Sequence, residues 1–167
     1  MDIEEKQCGV KGVMSEIIPN FLYLGSVYAS KDKAFLQKHG IKYILNCALS
    51  ICKPLEDKEF TTWAIDIKDG PSENIECLFY PCFEFIERCR KEGKKILVHC
   101  QQGISRSTTI VFAYLIWSEK LDYMGALTKL KGVRDVINPN MGFTFSLGTF
   151  ADRILNKEEK LQIYIFI

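Results

Sequence analysis

The feature that most constrains this chain is the run 94–117, in which an apolar strand, a short polar loop and an apolar helix follow one another. Residues 96–98 form the short apolar run typical of a strand buried on both faces, and residues 109–117 are apolar enough to predict a buried helix. We therefore expect the loop at the carboxyl edge of a sheet. There the unpaired amides and the positive end of the helix dipole favour an anion, and Gly103 supplies the bend.

Two side chains can turn this anion site into a reaction centre. Cys100 lies where the strand meets the loop, and the same amides and dipole favour its thiolate, the nucleophilic form. Arg106, six positions later, is permanently charged, and its planar fork can contact two phosphate oxygens at once. Ser107 can donate a hydrogen bond to the sulfur and so help the thiolate leave. These residues predict chemistry on a phosphate ester.

The sequence His99-Cys100, five residues, then Arg106-Ser107 resembles the signature of the cysteine-dependent protein phosphatases, and its loop is most similar to the dual-specificity branch. The segment 17–26 resembles the opening of such domains, and 134–140 resembles one of their connections. The resemblance implies a single α/β domain with a central, mainly parallel twisted sheet flanked by helices on both faces. The alternation of strands and helices between residues 17 and 156 independently predicts the same architecture.

The resemblance also implies a two-step phosphoryl transfer without metal or other cofactor. Cys100 would attack phosphorus while an acid protonates the leaving oxygen, and water would then hydrolyse the phospho-cysteine. The family carries this acid on a loop that follows a strand. Asp69, on such a loop, is our candidate. Asp66 is the alternative, set aside because we expect it inside the strand 63–67.

The predicted phosphate-binding loop comprises Gln101, Gln102, Gly103, Ile104, Ser105 and Arg106. Gln102 stands where the family usually has a small residue, and a side chain that points outward would be tolerated because backbone amides bind the phosphate. The resemblance implies that His99 orders the loop and favours the thiolate, and that Asn140 braces the loop. The alternative for Asn140 is that it only caps the following helix.

Two further residues near the predicted site each have two interpretations. Cys47 ends a strand of the same sheet, where it is either a core residue or a partner for Cys100 in a disulfide formed under oxidation. Arg134 either adds positive charge near the cleft or is a solvated side chain. The residues themselves leave both questions open.

Other signals mark the ends of helices. Ser30 is predicted to cap a short helix that ends at Gly40, and Asp122 to cap one that ends at Gly132. Pro81 interrupts a helical run of apolar residues, which predicts either a kink or two helical pieces with Pro81 in the first turn of the second.

The chain divides into a loose leader (1–15), a catalytic domain (16–157) and a hydrophobic tail (158–167). The stretch 161–167 is predicted to add an edge strand or to form a partner surface, including one for self-association. No window is long enough for a membrane span, the opening is too acidic for a signal peptide, and Asp2 excludes N-myristoylation.

Composition narrows the compartment and the partners. The seven cysteines are an odd number and have no repeated spacing, which favours a reducing compartment over a disulfide framework. We therefore expect the protein in the cytoplasm, or in the nucleus as well. Two histidines are too few for a His-rich metal site, and a net charge of +1 gives no pull toward nucleic acid or anionic membranes.

The loop residues suggest the substrate. Gln101, Gln102 and Ile104 are uncharged, unlike the lysine-bearing loops of related phosphoinositide phosphatases, which favours a phosphorylated protein. The chain also lacks the long recognition loop of tyrosine-only relatives, so phosphotyrosine and phosphoserine or phosphothreonine are all expected to reach Cys100. The alternatives are a phosphatase of phosphoinositides or RNA 5′ ends, and a non-catalytic module that binds phosphate groups.

Overall fold

A five-stranded sheet forms the centre of the chain, whose computed structural model describes the backbone of residues 14–165 and the side chains of residues 14–156. The strands are β1 (Met14–Ile18), β2 (Leu22–Gly25), β3 (Ile41–Asn46), β4 (Thr61–Ala64) and β5 (Lys95–His99). The α-helices are α1 (Val27–Lys31), α2 (Lys33–His39), α3 (Phe79–Lys91), α4 (Arg106–Glu119), α5 (Tyr123–Val133) and α6 (Met141–Ile165), and a 3-10 helix spans Ile75–Leu78.

Strand β5 is the central strand, in the order β1-β2-β5-β3-β4. It pairs in parallel with β2 and β3, so that Val98 lies between Leu24 and Leu45. Only β1, at the edge, runs antiparallel, to β2. The loop that follows β5 therefore emerges at the carboxyl edge of the sheet, between its neighbours.

Side chains of β5 alternate between two apolar layers, as the pleat of a strand requires. Ile96 and Val98 belong to the larger layer, which α3, α4, α5 and α6 cover. Leu97 points into the smaller layer on the other face, with Ala29 and Leu36 of the first two helices. Every residue of α4 from 106 to 116 is buried. The predicted buried strand and helix, and the predicted α/β fold with helices on both faces, are confirmed.

Several predicted helix boundaries are confirmed. The Asp122 carboxylate accepts the Gly125 N–H at 2.7 Å and caps α5, which ends at Val133, one residue beyond the predicted Gly132. Gly40 closes α2 with a left-handed φ of 72°. Pro81 lies in the first turn of α3, directly after the 3-10 helix, as the second of its two alternatives stated.

The prediction that Ser30 caps a helix is wrong. Ser30 lies inside α1, where its Oγ donates to the Val27 carbonyl at 2.9 Å. The cap is Asp32, whose Oδ1 accepts the Phe35 N–H at 2.9 Å. The chain forms two short helices that meet at Asp32, so the free amides that need a cap begin two residues later than predicted.

Two strand boundaries also differ from the prediction. Strand β1 begins at Met14, inside the segment expected to be a loose leader. Strand β4 ends at Ala64, so Asp66 does not lie inside a strand but makes an isolated bridge with Ala48. Residues 1–13 of the predicted leader lie outside the described residues.

Residues 161–165 continue α6 as helix, so this part of the tail does not add the edge strand that was one of the two predicted roles. Its side chains, and residues 166–167, lie outside the described residues, so self-association through the tail stays a prediction. No helix in the part of the chain that the structure describes is long and apolar enough to cross a membrane.

Candidate active site

The loop between β5 and α4 surrounds the Cys100 sulfur with hydrogen-bond donors. The Gly103 N–H points at Sγ from 3.3 Å, and the Ser107 Oγ–H from 3.2 Å. Cys100 is buried and lines a cavity of about 260 Å³. The Ser107 hydroxyl thus donates a hydrogen bond to the Cys100 sulfur, as predicted.

The balance of these contacts favours the thiolate. Burial by itself raises the pKa of the Cys100 thiol, but the hydroxyl and amide of Ser107, the Gly103 amide and the Arg106 charge together lower this pKa below its ordinary value. Since the thiolate is the nucleophilic form, the site favours the reactive state of the sulfur.

Arg106 lines the same cavity and is 7% exposed. One terminal nitrogen, Nη1, donates to the Ile67 carbonyl at 3.5 Å, and Nε lies 3.5 Å from Asp69 Oδ2. This Nε is buried and has no hydrogen-bond partner among the described residues, because its contact with Asp69 lacks hydrogen-bond geometry. A buried donor without a partner suits a site that receives an oxyanion.

Gly103 makes the loop conformation possible. Its φ is +68°, and a Cβ built on it would lie 2.5 Å from the Gly25 carbonyl oxygen. That oxygen belongs to the backbone of β2 and cannot move aside like a flexible side chain. The position therefore requires glycine for both its conformation and its space.

Arg134 holds this loop from the opposite side, and the interpretation of it as a solvated side chain is wrong. Arg134 is 1% exposed. Its Nε donates to the Gly103 carbonyl at 2.9 Å, and its Nη2 to the Gln102 carbonyl at 3.1 Å. The planar guanidinium thus fixes two consecutive carbonyls. Sequence reasoning noted this arginine but did not find its role, because the carbonyls it binds lie 31 and 32 residues earlier.

Asp69 lies at the cavity, whereas Asp66 does not line it. The Asp69 Oδ1 accepts hydrogen bonds from Ser105 Oγ at 2.7 Å and from Asn140 Nδ2 at 3.0 Å. Asp66 instead accepts the Ser50 N–H at 2.9 Å. Of the two candidates, Asp69 is the one that lines the cavity with Cys100, and its role as the acid stays a prediction.

Asn140 does both things that the sequence offered as alternatives. Its Oδ1 accepts the Phe143 N–H at 3.0 Å, which caps α6. Its backbone N–H donates to Ser105 Oγ in the loop at 3.3 Å, and its Nδ2 binds Asp69. Asn140 therefore connects the loop, Asp69 and the last helix.

The remaining loop residues differ in exposure. Gln101 and Gln102 are exposed and Ile104 is half-buried. Gln102 also lines the cavity that contains Cys100, so the expectation that its side chain points away from the phosphate site stays a prediction. The Gln101 carbonyl accepts the Val27 N–H at 3.2 Å, which ties the loop to the start of α1.

His99 is buried and its Nδ1 lies 3.2 Å from the Cys100 carbonyl. Burial lowers the pKa of His99 to about 4, although the contact with the carbonyl opposes this shift. The ring is therefore neutral at pH 7. It can favour the thiolate only by ordering the loop, and not through a positive charge.

Cys47 is fully buried, and burial raises the pKa of its thiol well above the ordinary value. It belongs to the apolar core, and both Cys47 and Cys100 are free thiols. A disulfide between them under oxidation stays a prediction. Within residues 14–156, no group of three or more His, Cys, Asp or Glu side chains is placed to hold a metal ion.

A buried cysteine with a lowered pKa, followed by an arginine on a strand, loop and helix, is typical of the cysteine-dependent phosphatases. The family model described as "Dual specificity phosphatase, catalytic domain" matches residues 22–153, and the chain belongs to this family. The resemblance seen in the signature is confirmed.

Known relatives agree with this assignment. Over 134 residues the chain is 40% identical to dual specificity protein phosphatase 19 of Mus musculus, which covers 80% of this chain and 60% of the relative. It is 38% identical over 130 residues to protein-tyrosine-phosphatase MKP1 of Arabidopsis thaliana, covering 78% of this chain but 17% of the relative. The chain thus spans only part of the length of these curated relatives. The crystal structure of DUSP15 matches with a TM-score of 0.78 and 34% identity, covering 89% of this chain and 97% of that one.

Substitution of Gly103 by alanine should damage both fold and site. The added Cβ meets the Gly25 carbonyl, and the left-handed φ is unfavourable for alanine, so we expect a loss of at least about 3 kcal/mol in the free energy of unfolding. Urea unfolding of Gly103→Ala measures this loss. Gly148→Ala is the matched control, because a Cβ there meets nothing within 4 Å. Equal stability of the two variants would show that the loop does not have this conformation.

The neutral state of His99 predicts a pH dependence of stability. Because its folded pKa is about 4, against roughly 6.5 unfolded, the stabilisation is complete above pH 6.5 and is lost as the pH falls toward 4. Between pH 7 and pH 5 this group alone should reduce the free energy of unfolding by about 2 kcal/mol. Urea titrations should show this loss in the native protein and a shallower one in His99→Asn. If the free energy of unfolding depended on pH in the same way in both proteins, a buried and neutral His99 would be contradicted.

Proposed function

We propose that this chain is a protein phosphatase that hydrolyses phosphotyrosine and phosphoserine or phosphothreonine through a phospho-cysteine intermediate. The observation that carries the proposal is that Cys100, Arg106 and Asp69 all line one cavity of about 260 Å³. A nucleophile, an anion-binding cation and a proton donor are the three groups that metal-independent phosphoryl transfer needs. Membership of the dual specificity phosphatase family supports the same reaction.

In the first step the Cys100 thiolate attacks phosphorus. The sulfur–phosphorus bond forms as the bond from phosphorus to the ester oxygen breaks, and protonated Asp69 gives its proton to the departing oxygen. Arg106 and the loop amides bind the three equatorial oxygens, over which negative charge spreads in the transition state.

In the second step water attacks the phospho-cysteine. Asp69, now a carboxylate, takes a proton from the water as the oxygen–phosphorus bond forms. The sulfur–phosphorus bond breaks, and the thiolate leaves with the Ser107 hydroxyl as its hydrogen-bond donor at 3.2 Å. Inorganic phosphate is released, and the sulfur is again ready to attack.

The rim of the pocket favours a phosphorylated protein as substrate. The exposed side chains of the loop, Gln101 and Gln102, carry no charge. A phosphoinositide or an RNA end carries several phosphates or a charged backbone, which basic side chains would normally neutralise. A single phosphorylated residue needs only the loop amides and Arg106. Such dephosphorylation would act in signalling, in the cytoplasm or the nucleus.

Turnover of p-nitrophenyl phosphate by three variants tests the mechanism. Cys100→Ser should have no measurable turnover, since a serine hydroxyl is not ionised at neutral pH. Asp69→Asn should reduce turnover of phenyl phosphate on the order of 100-fold, and that of p-nitrophenyl phosphate less, because a poor leaving group depends more on the acid. Ser107→Ala should accumulate phospho-enzyme, detectable by mass spectrometry.

Vanadate should inhibit the reaction and a metal chelator should leave it unchanged. A full rate in Cys100→Ser, or loss of turnover with chelator, would contradict the proposal.

A panel of phosphopeptides, phosphoinositides and RNA with 5′ phosphate tests the substrate class. Preferred turnover of lipid or RNA would contradict a protein substrate, and tight binding of phosphopeptides without turnover would identify a binding module.

A further inference from the structure

The two oxygens of the Asp69 carboxylate have different surroundings. Oδ1 accepts two hydrogen bonds, from Ser105 Oγ at 2.7 Å and from Asn140 Nδ2 at 3.0 Å. Oδ2 faces the Arg106 Nε at 3.5 Å, without hydrogen-bond geometry. One oxygen is therefore anchored, and the other lies beside the group that binds phosphate.

This asymmetry matches what a general acid needs in both of its protonation states. A neutral carboxyl group has one carbonyl oxygen, which only accepts, and one hydroxyl oxygen, which donates. Two donors at Oδ1 suit the carbonyl oxygen of the acid as well as an oxygen of the carboxylate. The proton can therefore come and go at Oδ2 while both anchoring bonds persist.

We propose that Ser105 and Asn140 are positioning residues that hold Asp69 by Oδ1, so that Oδ2 is the atom that transfers the proton. This inference rests on the proposed function, since it assigns atoms within the same reaction. In the first step the Oδ2–H bond breaks and the proton goes to the leaving oxygen. In the second step Oδ2 takes a proton from the attacking water.

The anchor has a fixed direction because each partner is itself constrained. The Asn140 Oδ1 accepts the Phe143 N–H at 3.0 Å, so the amide must direct its Nδ2 donors the other way, toward Asp69. The Asn140 backbone N–H donates to Ser105 Oγ at 3.3 Å, which leaves that hydroxyl free to donate its own proton to Asp69. The cap of α6 thus sets the orientation of the acid.

Asn140→Ser tests the anchor without removing the helix cap, because serine also caps well. With the Nδ2 donor gone, we expect kcat/KM for phenyl phosphate to fall roughly tenfold, part of the contribution of a positioned acid. The fall should be smaller for p-nitrophenyl phosphate, whose leaving group depends less on protonation. Ser105→Ala should show the same pattern, and it tests the anchor independently if the first variant fails to fold.

A double-mutant cycle with Asp69→Asn separates positioning from a structural role. In Asp69→Asn the side-chain carbonyl still accepts both anchoring bonds, but no carboxyl proton remains. If Ser105 and Asn140 act through Asp69, adding Asn140→Ser to this variant should cause no further loss in kcat/KM. Thr144→Val is the matched control in the first turns of α6, since its hydroxyl contacts the Pro139 carbonyl at 3.4 Å, and it should leave kcat/KM unchanged.

The outcomes distinguish the anchor from the reaction itself. A tenfold loss for Asn140→Ser that persists in the Asp69→Asn background would overturn the anchor and leave the acid role of Asp69 intact. An equal loss for both leaving groups would also overturn it. If Asp69→Asn alone has no effect on phenyl phosphate, the proposed role of Asp69 fails, and the anchor fails with it.

Discussion

The interaction on which the site depends is the set of hydrogen bonds to the Cys100 sulfur. Burial alone would keep the thiol protonated and unreactive. The Gly103 amide and the Ser107 hydroxyl, at 3.3 and 3.2 Å, oppose that effect together with the Arg106 charge. The same donors that favour an anionic sulfur also suit a phosphate group, so one loop conformation prepares both the nucleophile and the binding site.

That conformation is held from outside the loop. Gly103 is in contact with β2, where no side chain fits, and Arg134 binds the carbonyls of Gln102 and Gly103. With the Gln102 carbonyl turned toward Arg134, the Gly103 amide of the same peptide group faces the sulfur. The packing of α4 behind the loop and of β5 before it supplies the rigid frame. The fold therefore contributes to the reactivity of Cys100 by fixing the orientation of ordinary peptide groups in the loop.

Local patterns predicted the parts of this arrangement that are contiguous in sequence. The strand, loop and helix around Cys100 lie within one short segment, and its apolar runs and residue spacing are sufficient to predict all three. The contacts of Asp69 were not predictable in this way, because Ser105 and Asn140 lie 36 and 71 residues from it. The role of Arg134 was not predictable for the same reason, since the carbonyls it binds lie 31 and 32 residues earlier. The prediction that Ser30 is a helix cap was wrong because Ser30 and Asp32, which are both suitable capping residues, lie close together. Only the break between α1 and α2 makes Asp32 the cap of α2.

The most direct test of the account is the ionisation of Cys100. The rate of alkylation by iodoacetamide, measured against pH in native protein and in Ser107→Ala, reports the thiolate fraction of this sulfur, provided that mass spectrometry follows the Cys100 peptide. We expect the midpoint in the native protein to lie below the value of roughly 8.5 for an unperturbed cysteine, and to rise in Ser107→Ala. A native midpoint at or above the unperturbed value would contradict the account.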